Sequence, residues 1–174
     1  MRVLVALAIV LSSAVPGWAQ PGVDPCFSTF FGGNQFDAAW DVTMAPDGGI
    51  LITGRTGSPD LPVTAGAFQS TFGGDLDGYL AKFAPDGSLV FATYLGGNQY
   101  EKGIAVVALP DGRIALTGRT LSPNFPTTAD AHSRTKTAGV DAYVTVFSSA
   151  GSLLYSTLLP ADTRTIWPLR PMVI

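Results

Sequence analysis

The chain is built from short runs in which apolar and polar residues alternate, and turn-forming residues separate these runs. In the run 79–83, tyrosine, alanine and phenylalanine alternate with leucine and lysine. A period of two is typical of β-strands. Pro-Asp-Gly triplets at 46–48, 85–87 and 110–112 join neighbouring runs, and such turns form hairpins because glycine readily adopts positive φ. The pattern predicts an all-β protein with antiparallel strands.

A long segment occurs twice in the chain without insertion or deletion. The run 52–68, which begins Ile-Thr-Gly-Arg-Thr, returns at 116–132, an offset of 64 residues. Gly-Gly-Asn-Gln at 32–35 returns at 96–99 with the same offset. A repeat of this size indicates stacked or radially arranged units.

Each repeat predicts four strands in two hairpins. They are 38–45, 50–55, 78–84 and 88–95 in the first repeat, and 103–109, 113–119, 142–147 and 152–159 in the second. The link 56–77 is expected to cross one rim, with a turn of helix at 64–68. The strand 88–95 carries apolar residues on both faces, which predicts burial on two sides.

The predicted fold class is all-β, with antiparallel four-stranded blades of a β-propeller in an incomplete ring. Radial packing of such blades buries both faces of each sheet. The domains follow the repeat: a signal peptide (1–19), an end strand of a preceding blade and a turn (20–37), a first complete propeller repeat (38–101), a second propeller repeat (102–159) and a divergent C-terminal tail (160–174). The end strand is placed at 27–31.

The N-terminal segment predicts export. Arg2 precedes a mostly apolar run from Val3 to Val15, and Gly17 and Ala19 put small residues at positions −3 and −1 of a cut before Gln20. This is the pattern of a secretory signal peptide. Because the apolar run is shorter than the roughly 20 residues that span a bilayer, cleavage is favoured over a membrane anchor. We expect a secreted or cell-surface protein, or a periplasmic one, with no membrane span after cleavage.

Composition narrows the possible chemistry. The formal net charge of −3 provides no basic surface for nucleic acid. One histidine and one cysteine are too few for a zinc site. The single cysteine, Cys26, cannot form an internal disulfide, so it is either a free thiol or pairs between chains.

Acidic residues suggest two sites, and a structural role is favoured for each. Asp75 and Asp77 resemble the start of a calcium loop, but the further oxygen ligands and closing glutamate of an EF-hand are missing. The favoured role of Asp77 is to cap the turn before the third strand. Asp37 and Asp41 could act as paired carboxylates in glycoside hydrolysis, but nothing in the sequence fixes their separation.

Four further residues complete the candidates. His132 is the only histidine and is expected to be a rim or packing residue. Arg55 and Arg119 occupy equivalent strand ends, where a salt bridge or carbonyl contact between adjacent units is favoured. The alternative is a ring of arginines that binds an anion. Trp40 is expected to pack in the core. No catalytic, cofactor-binding or metal-ligating residue, and no cofactor, is therefore predicted.

Together these motifs resemble the bacterial SBBP repeat, the "seven-bladed β-propeller" repeat. The matching segments are Thr-Tyr-Leu-Gly-Gly at 93–97, Thr-Gly-Arg-Thr at 117–120, Ser-Pro-Asn-Phe-Pro-Thr-Thr at 122–128 and Asp-Gly-Tyr-Leu-Ala-Lys at 77–82. The resemblance extends over 27–159. It implies a secreted or cell-surface bacterial protein with a propeller fold and no defined catalytic residues.

The chain departs from this family in two ways. Two repeats cannot close a ring of about four to eight blades, and Pro-Ala-Asp-Thr at 160–163 replaces the next expected Gly-Gly-Asn-Gln. One explanation is a truncated or frameshifted reading frame. The other is a short paralogue that closes the ring as a homo-oligomer.

The favoured function is that of an exported, non-catalytic β-propeller repeat protein or fragment. It would be structural, or a platform for an unknown protein or glycan ligand. The alternatives are a rim-carboxylate hydrolase or lyase that acts as an oligomeric propeller, and a non-functional remnant of a longer propeller gene. The sequence leaves open the ligand, the oligomeric state, the number of blades and the state of Cys26.

Overall fold

The computed structural model describes residues 6–8, 27–137 and 139–159. Within these ranges the chain forms β-strands and no helix, which confirms the all-β prediction. The strands are β1 (Ala6–Ala8), β2 (Ser28–Phe30), β3 (Asp37–Met44), β4 (Ile50–Thr56), β5 (Asp77–Phe83), β6 (Leu89–Leu95), β7 (Glu101–Ala108), β8 (Ile114–Thr120), β9 (Asp141–Phe147) and β10 (Leu153–Leu159). Cys26, most of the predicted signal peptide and the tail 160–174 lie outside the described residues.

The strands form two four-stranded antiparallel sheets and one two-stranded pair. The first sheet has the order β3-β4-β5-β6 and the second the order β7-β8-β9-β10, so each strand lies beside its neighbour in the chain. The predicted Pro-Asp-Gly hairpins are confirmed, and the glycines at 48, 87 and 112 have φ between 80° and 86°. These values lie in the left-handed region, which glycine adopts without a steric penalty.

Strand positions agree with the prediction to within about two residues, but two finer expectations are wrong. The segment 64–68 is a single turn in which Ala67 N–H donates to the Thr64 carbonyl, because Gly66 has φ of 80° and does not continue a helix. The strand β6 is buried from Phe91 onwards, but Val90 is 48% exposed, since no described residue covers that side of the strand near its start.

Two apolar clusters hold the layers together. One lies between the two sheets, where β7 packs across β3, β4 and β5. Its members include Leu51, Leu80, Leu95, Ile114, Leu116, Tyr143 and Phe147. The other lies on the opposite face of the first sheet and includes Ile50, Ile52, Tyr79, Ala81 and Phe83. The first sheet thus packs apolar residues on both faces.

The short strand β2 covers that second cluster. Phe31 contacts the rings of Tyr79 and Phe83, with centroids 5.6 and 5.5 Å away. In the backbone, β2 pairs antiparallel with β1, which belongs to the predicted signal peptide. Cleavage before Gln20 would therefore remove the strand that β2 pairs with here.

The two sheets also share an equivalent side-chain hydrogen bond. Thr53 Oγ1 donates to the Tyr79 carbonyl at 2.7 Å, and Thr117 Oγ1 donates to the Tyr143 carbonyl at 2.8 Å. The sheets contact each other closely, because a Cβ atom on Gly103 of β7 would lie only 2.0 Å from Thr53 Oγ1. Glycine at position 103 thus permits the second sheet to approach the first.

Candidate functional site

Basic and aromatic side chains converge where the two sheets meet at one rim. Arg55 lies near the end of β4, opposite Ala38 of β3, and Arg119 lies near the end of β8, opposite Lys102 of β7. Both arginines occupy the same position of the repeat. Packing of β7 against the first sheet brings the two strand ends to the same rim.

Tyr100, immediately before β7, joins the two arginines. Its hydroxyl oxygen accepts hydrogen bonds from Nη1 of Arg55 and from Nη2 of Arg119, the latter at 3.3 Å. The guanidinium carbon of Arg119 lies 5.2 Å from the centre of the Tyr100 ring, and that of Arg55 lies 5.7 Å from it. Each cation therefore also lies within range of a cation–π interaction.

Trp40, Phe36 and Lys102 complete this group, which we call the rim cluster (Phe36, Trp40, Arg55, Tyr100, Lys102 and Arg119). Lys102 Nζ lies 2.9 Å from the centre of the Trp40 ring, and the Arg55 guanidinium lies 4.7 Å from the centre of the Phe36 ring. Trp40 is 49% exposed. The expectation that it packs in the core is wrong, because a bulge between Ala39 and Asp41 directs it to the rim.

The rim cluster carries three positive charges and no paired carboxylate among the described residues. The salt bridges in the described ranges join Lys82 to Asp47 and Arg113 to Asp111, not the cations of this cluster. In place of the expected salt bridge or carbonyl contact between units, the two arginines share the hydroxyl of Tyr100. Desolvation, followed by repulsion from Arg119, lowers the pKa of Lys102.

The same positive charges change the pKa of Tyr100. Burial alone would raise the pKa of its phenol, but hydrogen bonds from Arg119 and Arg55 outweigh burial and lower the pKa below its usual value. The cations thus favour negative charge at this position. The site can therefore attract an anion.

The sequence prediction named Arg55, Arg119 and Trp40 but missed Tyr100 and Lys102. A signal for Tyr100 exists, because it occupies the repeat position of Phe36. Each repeat therefore places an aromatic residue two positions before the residue that pairs with its arginine. The sequence gives no sign that Tyr100 serves both arginines, since one of them belongs to the other sheet.

Asp37 and Asp41 have structural partners in the folded chain. Asp37 is buried and accepts hydrogen bonds from Thr56 Oγ1, Ser58 Oγ and the backbone N–H of Gly33, at 2.5 to 2.9 Å. Asp41 accepts the N–H of Val106 at 2.8 Å and so links the two sheets. The first carboxylate fixes the Gly-Gly turn, and the second fixes the packing of β7.

Asp77 caps the turn before β5, as expected. Its Oδ2 accepts hydrogen bonds from Gly73 N–H at 2.8 Å and from Gln69 Nε2 at 3.1 Å. Burial, with a smaller contribution from nearby Glu101, raises its pKa to about 7. Its Oδ1 is buried without a hydrogen-bond partner among the described residues, and Asp75 is exposed.

The side chain of His132 is exposed, and its backbone N–H donates to the hydroxyl of Tyr155 at 3.2 Å. Among the described residues no group of three or more His, Cys, Asp or Glu side chains could hold a metal ion. No helix in those ranges is long and apolar enough to cross a membrane. No protein-family model matches the chain, and no curated protein matches it.

Proposed function

We propose that the chain is an exported, non-catalytic β-propeller repeat protein of the SBBP type that serves as a binding platform. In this proposal each four-stranded sheet is one blade, and the rim cluster is the binding surface. The observation that carries the proposal is a repeated contact between consecutive units.

That contact joins the last strand of one unit to the next sheet. A Cβ atom on Gly151 of the second sheet would lie 2.8 Å from the ring of Phe91, which belongs to β6. At the equivalent place in the first sheet, a Cβ atom on Gly87 would lie 2.9 Å from the ring of Phe27. The segment around β2 thus packs on the first sheet as β6 packs on the second, which supports radial succession of units.

The face of the second sheet that points away from the first suggests where a further unit packs. Leu51, Thr53 and Leu80 are fully buried under β7. Their repeat counterparts Ala115, Thr117 and Val144 are only partly buried. These counterparts border an open apolar hollow of about 150 Å³.

We propose that this open face binds the first sheet of a second copy, so that copies close a ring. In such a ring β10 of one copy takes the place of β2 on the next copy, because the repeat offset relates β2, β6 and β10. Cleavage of the predicted signal peptide favours this exchange, since it removes the β1 strand that β2 pairs with. About three or four chains would give a ring of ordinary size.

Light scattering on the protein exported from the full reading frame tests this assembly. The wild type should elute as a discrete trimer or tetramer, and Val144→Glu should elute as a smaller, folded species because it buries a charge in the interface. Val90→Glu makes the same change at a position that is exposed in the chain, and it should assemble normally.

A folded monomeric wild type, or assembly that Val144→Glu leaves unchanged, would contradict the ring. Electron microscopy of the assembly supplies the direct check, because blades around a central axis are expected rather than a flat sandwich. Turnover of a glycan or peptide by the exported protein would contradict the non-catalytic role.

A further inference from the structure

We propose that Arg55, Tyr100 and Arg119 form an oxyanion-binding site, with Lys102 and Trp40 at its border. The ligand group is a carboxylate or phosphate, and its source is either an acidic sugar or inorganic phosphate. This proposal rests on the binding platform proposed above, because the oxyanion would be the ligand of that platform. The experiment that tests it does not depend on ring assembly.

The first step is that the two guanidinium groups converge. Both donate to the hydroxyl oxygen of Tyr100, so a single oxygen atom already lies within reach of both. An incoming oxyanion offers two or more oxygens with full or partial negative charge. It can therefore replace these two hydrogen bonds to a neutral hydroxyl by hydrogen bonds between opposite charges, which are shorter and stronger.

The second step is that these three cations have no carboxylate partner among the described residues. Lys82 and Arg113 each pair with an aspartate, whereas Arg55, Lys102 and Arg119 pair with none of the described carboxylates. The Nε atom of Arg55 is also buried without a hydrogen-bond acceptor among the described residues. Like charges held together without a counter-ion repel one another, and a bound anion relieves that repulsion.

The third step is that the site stays open when units pack. Trp40 is 49% exposed, and its repeat counterpart Ile104 is still 44% exposed although the first sheet packs against β7. By contrast, Val42 is 40% exposed and its counterpart Val106 only 6%. A further unit would therefore cover Val42 but leave the position of Trp40 accessible, with an indole ring available to the body of the ligand.

The fourth step is that the arrangement recurs. Arg55 lies over Phe36 at 4.7 Å, and Arg119 lies over Tyr100 at 5.2 Å, in equivalent positions of the two units. Consecutive units thus present a row of arginine–aromatic pairs along one rim. Arginine suits oxyanion recognition because its planar fork of N–H donors matches a carboxylate or phosphate.

Isothermal titration calorimetry of the full chain at low ionic strength tests the site. The probes are inorganic phosphate, glucuronate and glucose, which is a neutral sugar. We expect binding of at least one of the two anions with millimolar or tighter affinity, weakening as salt is added, and no binding of glucose. Phosphate alone would assign the ligand to inorganic phosphate, and stronger glucuronate binding would assign it to an acidic sugar.

The variants Arg119→Gln and Arg55→Gln should each weaken anion binding about tenfold or more, the effect of losing one charge-assisted hydrogen bond. Arg113→Gln removes the same charge from an exposed turn and should leave binding unchanged. Circular dichroism checks that each variant is folded, and Arg119 is exposed, so its substitution should not disturb the core.

Absence of binding of both anions by the folded wild type would overturn the proposal. Equal loss of affinity in Arg113→Gln, or binding of glucose as strong as that of glucuronate, would do the same. These outcomes are independent of the light-scattering result. The oxyanion site can therefore be contradicted while ring assembly is supported, and ring assembly can be contradicted while the oxyanion site is supported.

Discussion

Asp77→Asn should remove much of the dependence of stability on pH in the neutral range. Asp77 is fully buried between the sheets, and burial is the main reason why its pKa rises from 3.8 to about 7, with Glu101 adding to the effect. Between these two pH values the native state keeps a proton that the unfolded chain has lost. The free energy of unfolding therefore falls as pH rises through this range.

The size of the effect follows from the shift. A pKa difference of about 3 units corresponds to about 4 kcal/mol once pH is well above 7. Integration over the window gives a loss of about 2.5 kcal/mol between about pH 5 and pH 8. Asparagine has no proton to lose there, so that part of the pH dependence should vanish in the variant.

Urea unfolding followed by circular dichroism at the two pH values measures this directly. The quantity to compare is the change in unfolding free energy from pH 5 to pH 8 in the wild type, minus the same change in Asp77→Asn. Asp75→Asn removes a negative charge at an exposed neighbouring position and serves as the control. If wild type and Asp77→Asn lose stability equally over this range, the assignment of the pH dependence to Asp77 is wrong.

Two further substitutions test the packing. Asp47→Asn should destabilise the fold by about 1 to 3 kcal/mol at neutral pH, because it leaves the buried ammonium of Lys82 without its anion. Asp111→Asn, at the same repeat position but paired with the exposed Arg113, should cost less in the same urea titration, and equal losses would refute this. Gly103→Ala should cost about 1 to 3 kcal/mol by overpacking, because its methyl group would lie 2.0 Å from Thr53 Oγ1; an unchanged urea midpoint would show that the sheets do not approach as closely as described.

Much of the local structure was accessible from the sequence. Alternation of apolar and polar residues predicted the strands, and the Pro-Asp-Gly triplets predicted the hairpins. Both features could be predicted because each depends on residues that are close in the chain. In the folded chain Asp37 and Glu101, which occupy the same position of the repeat, also make the same contact. Both accept the N–H of the glycine four residues before them, at 2.8 and 2.7 Å.

The solvent exposure of side chains at the edges of the sheets could not be predicted from the sequence. Trp40 looked like a core residue because it is large and apolar in a strand, yet the bulge in β3 turns it to the rim. Val90 looked buried because both faces of its strand carry apolar residues, yet nothing among the described residues covers it. A strand pattern says which side chains share a face, but only packing decides whether another layer lies on that face.

The sequence by itself determined the class of fold, the strand boundaries, the turns and the equivalence of the two units, since all of these follow from neighbouring residues and from the repeat. Only the tertiary structure brought Arg55 to Tyr100, which lies 45 residues away, and placed Asp77 beside Glu101. Those encounters depend on how β7 docks on the first sheet. The charge of the rim and the pKa of the buried carboxyl are properties of that docking, because they arise from residues that no local pattern places together.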